Sequence, residues 1–270
     1  MPGVLGLSDP GHKTVIGMVH LSPLPGTPFH EEGQFPQILE RAVDAARALD
    51  VGGADGCLVQ TVDRVYSVDD DSDPARTVAM GLIVREIVRA TGKDFEVGVQ
   101  LMRNALRASL AVAKVAGGSF IRAGGLVGMT LTAHGMVTAQ PLRVMEYRAK
   151  IHAQDIKVIA DIDSQHYRWF EGGKPTAQVA GSAAFVGADA VALGSPDDER
   201  TLAMIASVRA AQPDLPIILA GHTDHDNAGR LLAAADGAFV GTCLQPSGWG
   251  GPIDVERVRA YVRAARSVAP

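Results

Sequence analysis

The chain is poor in cysteine, short of net positive charge and without long apolar runs. Two cysteines, Cys57 and Cys243, stand in 270 residues, each inside an apolar stretch and with no paired ligand spacing. That argues against a disulfide framework or a cysteine metal site, and both thiols are expected to be buried and reduced. Acidic residues outnumber basic ones, 30 to 25, for a net charge of -5, so the basic face of a nucleic-acid protein is not expected. No apolar segment approaches the roughly 20 residues that cross a bilayer. "MPGVLGLSDPGHK" has neither the basic start nor the apolar stretch of a secretory leader. A cytoplasmic protein with no membrane partner is the expectation. No G-x-G-x-x-G turn follows the first strand, as a dinucleotide fold would require, and no H-x-H or H-E-x-x-H spacing marks a metal site. Neither a cofactor nor a metal is therefore expected.

What is present is a repeated alternation. Short β-rich apolar runs occur at 14–21, 55–61, 96–102, 120–125, 157–163, 190–195, 216–221 and 237–242. Helical segments follow each, beginning near Pro36, Pro74, Asn104, Pro141, Pro175, Pro196, Asp226 and Asp254. "SDPARTVAM" places Asp73 as a cap and Pro74 in the first turn, and "SPDDERTLAMI" puts acids at another helix start. With 47% hydrophobic residues the chain has enough to fill a large core. Eight strand–helix pairs in this length point to a single (β/α)8 barrel over residues 1–270, with long loops at 21–36 and 125–141.

Alternation along the strands separates an outer apolar set from an inner set that carries polar groups. The inner set contains Ile16, Met18 and His20; Gly98, Gln100 and Met102; Arg122 and Gly124; Ile159, Asp161 and Asp163. A buried charge needs a partner, and Arg122 and Asp161 on neighbouring strands are placed to compensate each other, either as a purely structural pair or as part of a site. His166 follows strand five and is placed to meet His20 above the barrel. Two imidazoles and two aspartates, His20, His166, Asp161 and Asp163, offer acid–base chemistry near neutral pH. The acidic run "VDDDSDP" (68–74) reads as a solvated loop ending in a helix cap. At the far side, Gly221, Gly241 and Thr242 stand where barrels cradle phosphate on backbone N–H groups. Asp224 and Asp226 oppose an anion there, and His222 and His225 would offset them if protonated.

"VIGMVHLSPLPGTP", "FIRAGGLVGMTLTAHGMV", "MEYRAKI", "ADIDSQH", "GADAVALG" and "ADGAFVGTCLQPSG" with "PIDVERV" resemble, in order and over nearly the whole chain, the BtpA family. The resemblance implies a TIM-type barrel. One member of the family is associated with photosystem I biogenesis, and bacterial relatives are labelled nucleosidases. The chain departs from the family pattern at several positions. Gln60-Thr61 replace a Glu-Asn pair after strand two, and Gln100 and Ala105 stand where Asn and Asp are usual. Gln165 replaces a lysine, Gly221-His222-Thr223 replace a G-S-G type loop, and a T-G after strand six is missing from "GSPDDE". His20, Arg103, Asn104, Arg122, Asp161 and His166 remain. These features imply an enzyme acting on a sugar-like, nucleoside or phosphosugar substrate. Gln100, Arg103, Asn104, Arg122, Gly221, His222, Thr223, Gly241 and Thr242 would bind it. A non-catalytic assembly factor and a metal-dependent hydrolase are the alternatives. A homo-oligomer is expected, with the "FVGTCL" region and the Trp249 loop as contacts.

Overall fold

A computed structural model describes residues 11–267. The reading of the first ten residues as carrying no leader lies outside them. Eight parallel strands close a barrel: β1 (Thr14–Leu21), β2 (Gly56–Thr61), β3 (Glu96–Gln100), β4 (Phe120–Ala123), β7 (Lys157–Asp163), β8 (Ala190–Leu193), β9 (Ile217–Leu219) and β10 (Gly237–Val240). β10 returns to pair with β1, with Thr14 opposite Gly237. The connecting helices are α1 (Phe35–Val51), α2 (Pro74–Ala90), α3 (Leu106–Ala116), α4 (Pro141–Lys150), α5 (Thr176–Phe185), α6 (Asp198–Ala211), α7 (Ala228–Leu232) and α8 (Val255–Arg266).

The two strand faces sort as alternation requires. Val15, Val19 and Leu21 join the large layer packed under the helices. Ile16, Met18, Leu58, Phe120, Ile159 and Phe239 belong to a separate cluster that fills the barrel. Phe120 and Phe239 stack there with centroids 6.5 Å apart. Gly98 makes room for them, since a Cβ at that position would stand 2.1 Å from the Phe120 ring. The barrel is therefore a packed solid below and becomes polar only toward the strand C-termini. In the "FVGTCL" stretch, expected as a contact, Phe239, Val240 and Leu244 are buried and Thr242 is exposed.

Helix starts follow the side-chain chemistry. Asp73 accepts from Ala75 N at 2.7 Å and caps α2, and Asp254 accepts from Arg257 N at 2.9 Å and caps α8. The acidic run is only partly solvated, however. Asp70 is buried and takes the Arg107 backbone N–H at 3.0 Å and Nε at 2.7 Å.

The 125–141 segment, expected as a loop, contains an antiparallel hairpin, β5 (Met129–Thr132) and β6 (Gly135–Thr138). It is fastened over the barrel mouth. Tyr167 Oη donates to Val127 O at 2.6 Å, Phe170 N to Met129 O at 2.9 Å, and Arg168 N to Thr130 Oγ1 at 3.1 Å. Among the described residues no helix is long and apolar enough to cross a membrane.

Candidate active site

The polar mouth begins where β1, β2 and β3 end. His20 pairs in register with Gln60, and Gln60 with Gln100, so three inner-facing polar side chains stand level on adjacent strands. On β4, Arg122 continues the row, one residue past Ile121, which pairs with Val99. Arg122 is held in place on two sides. Its Nε and Nη2 donate to the two oxygens of Asp161 at 3.1 and 2.9 Å, and its guanidinium lies 4.7 Å from the centre of the Phe239 ring. The pair is almost wholly buried, 2% and 0% exposed, which makes the partnership obligatory. Each Asp161 oxygen accepts from Arg122, so this carboxylate orients the guanidinium at the mouth.

Above the row stand two imidazoles. Burial, with Arg122 nearby, lowers the pKa of His20 to about 4. Burial lowers that of His166 to about 3, helped by Arg122, Arg103, His20 and His222. Both rings are therefore neutral at pH 7. Arg103 Nη1 lies 3.5 Å from His166 Nδ1, and Gln165 Nε2 lies 3.4 Å from its Nε2. Burial also lowers the pKa of Arg103, against the pull of Tyr66 and Asp161.

Five buried polar atoms at this mouth have no hydrogen-bond partner: His20 Nδ1, Gln60 Oε1, both amide atoms of Gln100, and Arg103 Nε. Buried polar groups are paired in the great majority of cases, so this concentration singles out the mouth as the candidate site. Two hollows open onto it. One, under the hairpin between Gln100, Arg103, His166 and the hairpin residues Thr130, Thr132 and Val137, is a crevice too tight to admit a water molecule. A larger cleft of about 740 Å3 runs from His20 outward, between α1, the proline loop after β1 and the loop carrying Trp249. Trp249 is 62% exposed, and its ring centre lies 5.9 Å from that of His20. Pro23, the first proline after His20, lines this cleft. His30 Nδ1 binds Pro23 O at 2.8 Å, and Leu24 N donates to Asp63 at 3.1 Å.

Other expected site residues are employed elsewhere. Asp163 sits beside a β-bulge, where its Oδ2 accepts from Thr176 Oγ1 at 3.1 Å and faces Arg200 at 3.8 Å, so it serves the start of α5 rather than His20. Asn104 clamps two loops, donating to Gly125 O at 3.1 Å and accepting from Gly125 N at 2.9 Å. Thr223 Oγ1 is buried against Tyr261 Oη at 2.8 Å, away from the mouth. His225 bonds Arg257 O at 2.9 Å and packs edge-on to Tyr261. Asp224 is used locally, accepting from Asp226 N at 2.9 Å.

The far-side cradle keeps its backbone elements. Gly221 and His222 both have positive φ, 103° and 57°. Within the described residues the amide N–H groups of Gly221, His222 and Thr223 have no protein acceptor. Gly241 lies against the β1 end, where an added Cβ would stand 3.6 Å from His20 Cε1, and Thr242 opens a short 3-10 turn, Thr242–Leu244. Successive free N–H groups of this kind form an anion-binding concavity. Among the described residues no three His, Cys, Asp or Glu side chains are grouped to hold a metal ion.

Sequence reasoning missed Gln60, though the alternation that singles out Leu58 as interior also places Gln60 there. A buried network behind the mouth was also missed. Arg76 Nε donates to Asp63 at 2.9 Å, and its Nη2 reaches Thr61 Oγ1 at 2.8 Å and the Met102 carbonyl.

A closed eight-stranded parallel barrel with its polar groups at the strand C-termini defines a TIM barrel. The family model described as "BtpA family" matches residues 11–267, and the chain belongs to the BtpA family. It is 31% identical to the photosystem I biogenesis protein BtpA of Synechocystis sp., over 94% of this chain and 88% of the relative. Among solved structures, the tryptophan synthase alpha chain of Legionella pneumophila superposes with a TM-score of 0.62 at 14% identity, covering 96% of this chain and 92% of that one. Orotidine 5'-phosphate decarboxylase of Pyrococcus horikoshii superposes with a TM-score of 0.56 at 15% identity, covering 92% and 99%. At those identities the likeness is one of fold.

Proposed function

We propose that the protein is an enzyme that uses acid–base chemistry on a small sugar-like, nucleoside or phosphosugar substrate at the barrel mouth. The observation that carries this reading is the pair of neutral imidazoles, His20 and His166, held in a buried basin beside Arg103 and Arg122. Burial first, and the nearby arginines second, keep both rings unprotonated. An anionic ligand offsets the arginine part of that shift and raises both pKa values toward the working range of an acid–base pair. His20 and His166 then exchange protons with the substrate, while Arg122, oriented by Asp161, and Arg103 hold its charge. The N–H groups of 221–223, with Gly241 and Thr242, receive a distal phosphate. Glycosidic-bond cleavage or transfer, isomerisation and lyase chemistry all use this set. One fold neighbour is named for a phosphorylated ligand, orotidine 5'-phosphate, which accords with the cradle.

The test is a thermal-shift screen of sugar phosphates and nucleosides, followed by turnover of the hit by His20→Ala and His166→Ala. Each variant is expected to lose roughly 100-fold or more in rate. Unchanged rates in both would refute the assignment. An assembly factor without turnover is the second reading, favoured by the printed name of the Synechocystis relative. It predicts that no compound in the screen is turned over.

A further inference from the structure

Resting on the reading above, we infer that the cleft beside His20 is a subsite for a flat heteroaromatic ring carried by the substrate, with Trp249 as the side chain that stacks on it. The substrate is then of the nucleoside or nucleotide type rather than a bare phosphosugar. The crevice at Gln100 and Arg103 admits no water molecule, so the bulk of a ligand goes to the cleft. The cleft volume, about 740 Å3, lies within the range of small-molecule sites, about 300–1,000 Å3. His20 stands where the mouth and the cleft meet. It lines the cleft, and a Cβ at Gly241 would stand 3.6 Å from its Cε1. A substrate anchored at Gly241 and Thr242 and reacting beside His20 projects its remaining group into the cleft.

The lining selects a ring for that group. The walls are apolar, with Ile38 and Ala42 from α1, Val62 after β2 and Ile253 before α8. Trp249 completes them and is 62% exposed. Tryptophan is a mostly buried residue type, and here the loop is built to display it. Gly248 and Gly250, on either side, have φ of 84° and 86°, a backbone region that favours glycine. Gly248 N donates to Gln245 O and Gly251 N to Gly248 O, each at 3.0 Å, and Gln245 Nε2 ties the loop to Gly251 O at 2.9 Å. A displayed indole offers a π-face on which any nucleobase stacks. The rim adds hydrogen-bond donors. Arg64 lies over the Phe29 ring at 5.0 Å, and Arg41 has no partner among the described residues. Asp44, an acid of the same lining, already faces Arg47 at 3.7 Å. The ring nitrogens and carbonyl oxygens of a heteroaromatic edge accept from such donors, and a hydrocarbon ring does not. The Trp249 loop, expected from the sequence as a contact between copies, thereby becomes a specificity element.

The test compares adenosine 5'-monophosphate with D-ribose 5-phosphate, which lacks the adenine ring, by titration calorimetry on the purified full chain. Wild type is expected to bind the nucleotide about tenfold more tightly. Trp249→Leu should weaken the nucleotide about tenfold and leave ribose 5-phosphate within about twofold. Trp249→Phe keeps a ring and should recover most of that loss. Tryptophan emission should be quenched by the nucleotide in wild type and not in Trp249→Leu, which retains Trp169. Equal or tighter binding of ribose 5-phosphate in wild type, or nucleotide affinity unchanged in Trp249→Leu, would overturn the inference and leave the proposed function standing. A changed oligomeric state in Trp249→Leu, with nucleotide affinity unchanged, would make the loop a contact between copies instead. Failure of wild type to bind either compound sinks the proposed function as well.

Discussion

Two buried arginine–aspartate pairs stand within this barrel, and they differ in what they leave over. Arg76 is consumed: Asp63, the Thr61 hydroxyl and the Met102 carbonyl take its donors, while Asp63 also receives Leu24 N. Nothing about that pair faces a hollow, and it locks the ends of β2 and β3 to α2. Arg122 gives its side-on donors to Asp161 and spends its remaining field on His20 and His166, whose rings it helps hold neutral. The same two residue types, equally buried, thus make a bolt in one place and an electrostatic source in the other. The difference lies in the neighbours, because the unmet atoms of His20, Gln60 and Gln100 cluster around only the second pair.

Breaking each pair exposes the contrast. Arg76→Met and Arg122→Met each strand a buried carboxylate and should cost about 3–5 kcal/mol in urea unfolding. Arg122→Met alone should raise the imidazole midpoints of His20 and His166, because one named cause of their depression is gone. Equal movement of the midpoints in Arg76→Met would erase the distinction.

A smaller effect concerns acid. In the unfolded chain both histidines take up protons near pH 6.5, whereas in the fold they stay neutral down to about 4 and about 3. Between those values the unfolded state binds more protons, so stability falls as pH falls through that window. Replacing His20 alone with Asn should remove about 3 kcal/mol of the stability lost between pH 7 and pH 4, read from urea midpoints across pH. Smaller again, Asp73→Ala removes the cap of α2, far from either arginine pair, and should cost about 1 kcal/mol without altering either midpoint.

The barrel was legible because its strands announce themselves twice, by β-rich apolar runs and by alternation. β1 occupies residues 14–21 as read, and Ile16 and Met18 point inward as their parity requires. The Arg122–Asp161 pair followed from parity and strand adjacency alone. What escaped depends on contacts distant in sequence or on local breaks in regularity. Thr223 finds Tyr261 across 38 positions, and no local pattern records that. A bulge beside Asp163 turns its carboxylate toward Thr176, which strict alternation cannot foresee. The hairpin at 129–138 consists of two four-residue strands, and their signal, the β-branched residues of "MTLT" and "GMVT" around His134-Gly135, is short enough to read as loop.

The central claim is that the two imidazoles are held neutral by their surroundings and released by an anionic ligand. NMR titration of the His20 and His166 rings, free and with saturating D-ribose 5-phosphate, measures this directly. The account predicts midpoints near 4 and near 3 in the free protein and an upward shift of both in the complex. Midpoints near 6.5 in the free protein, unmoved by the ligand, would contradict it.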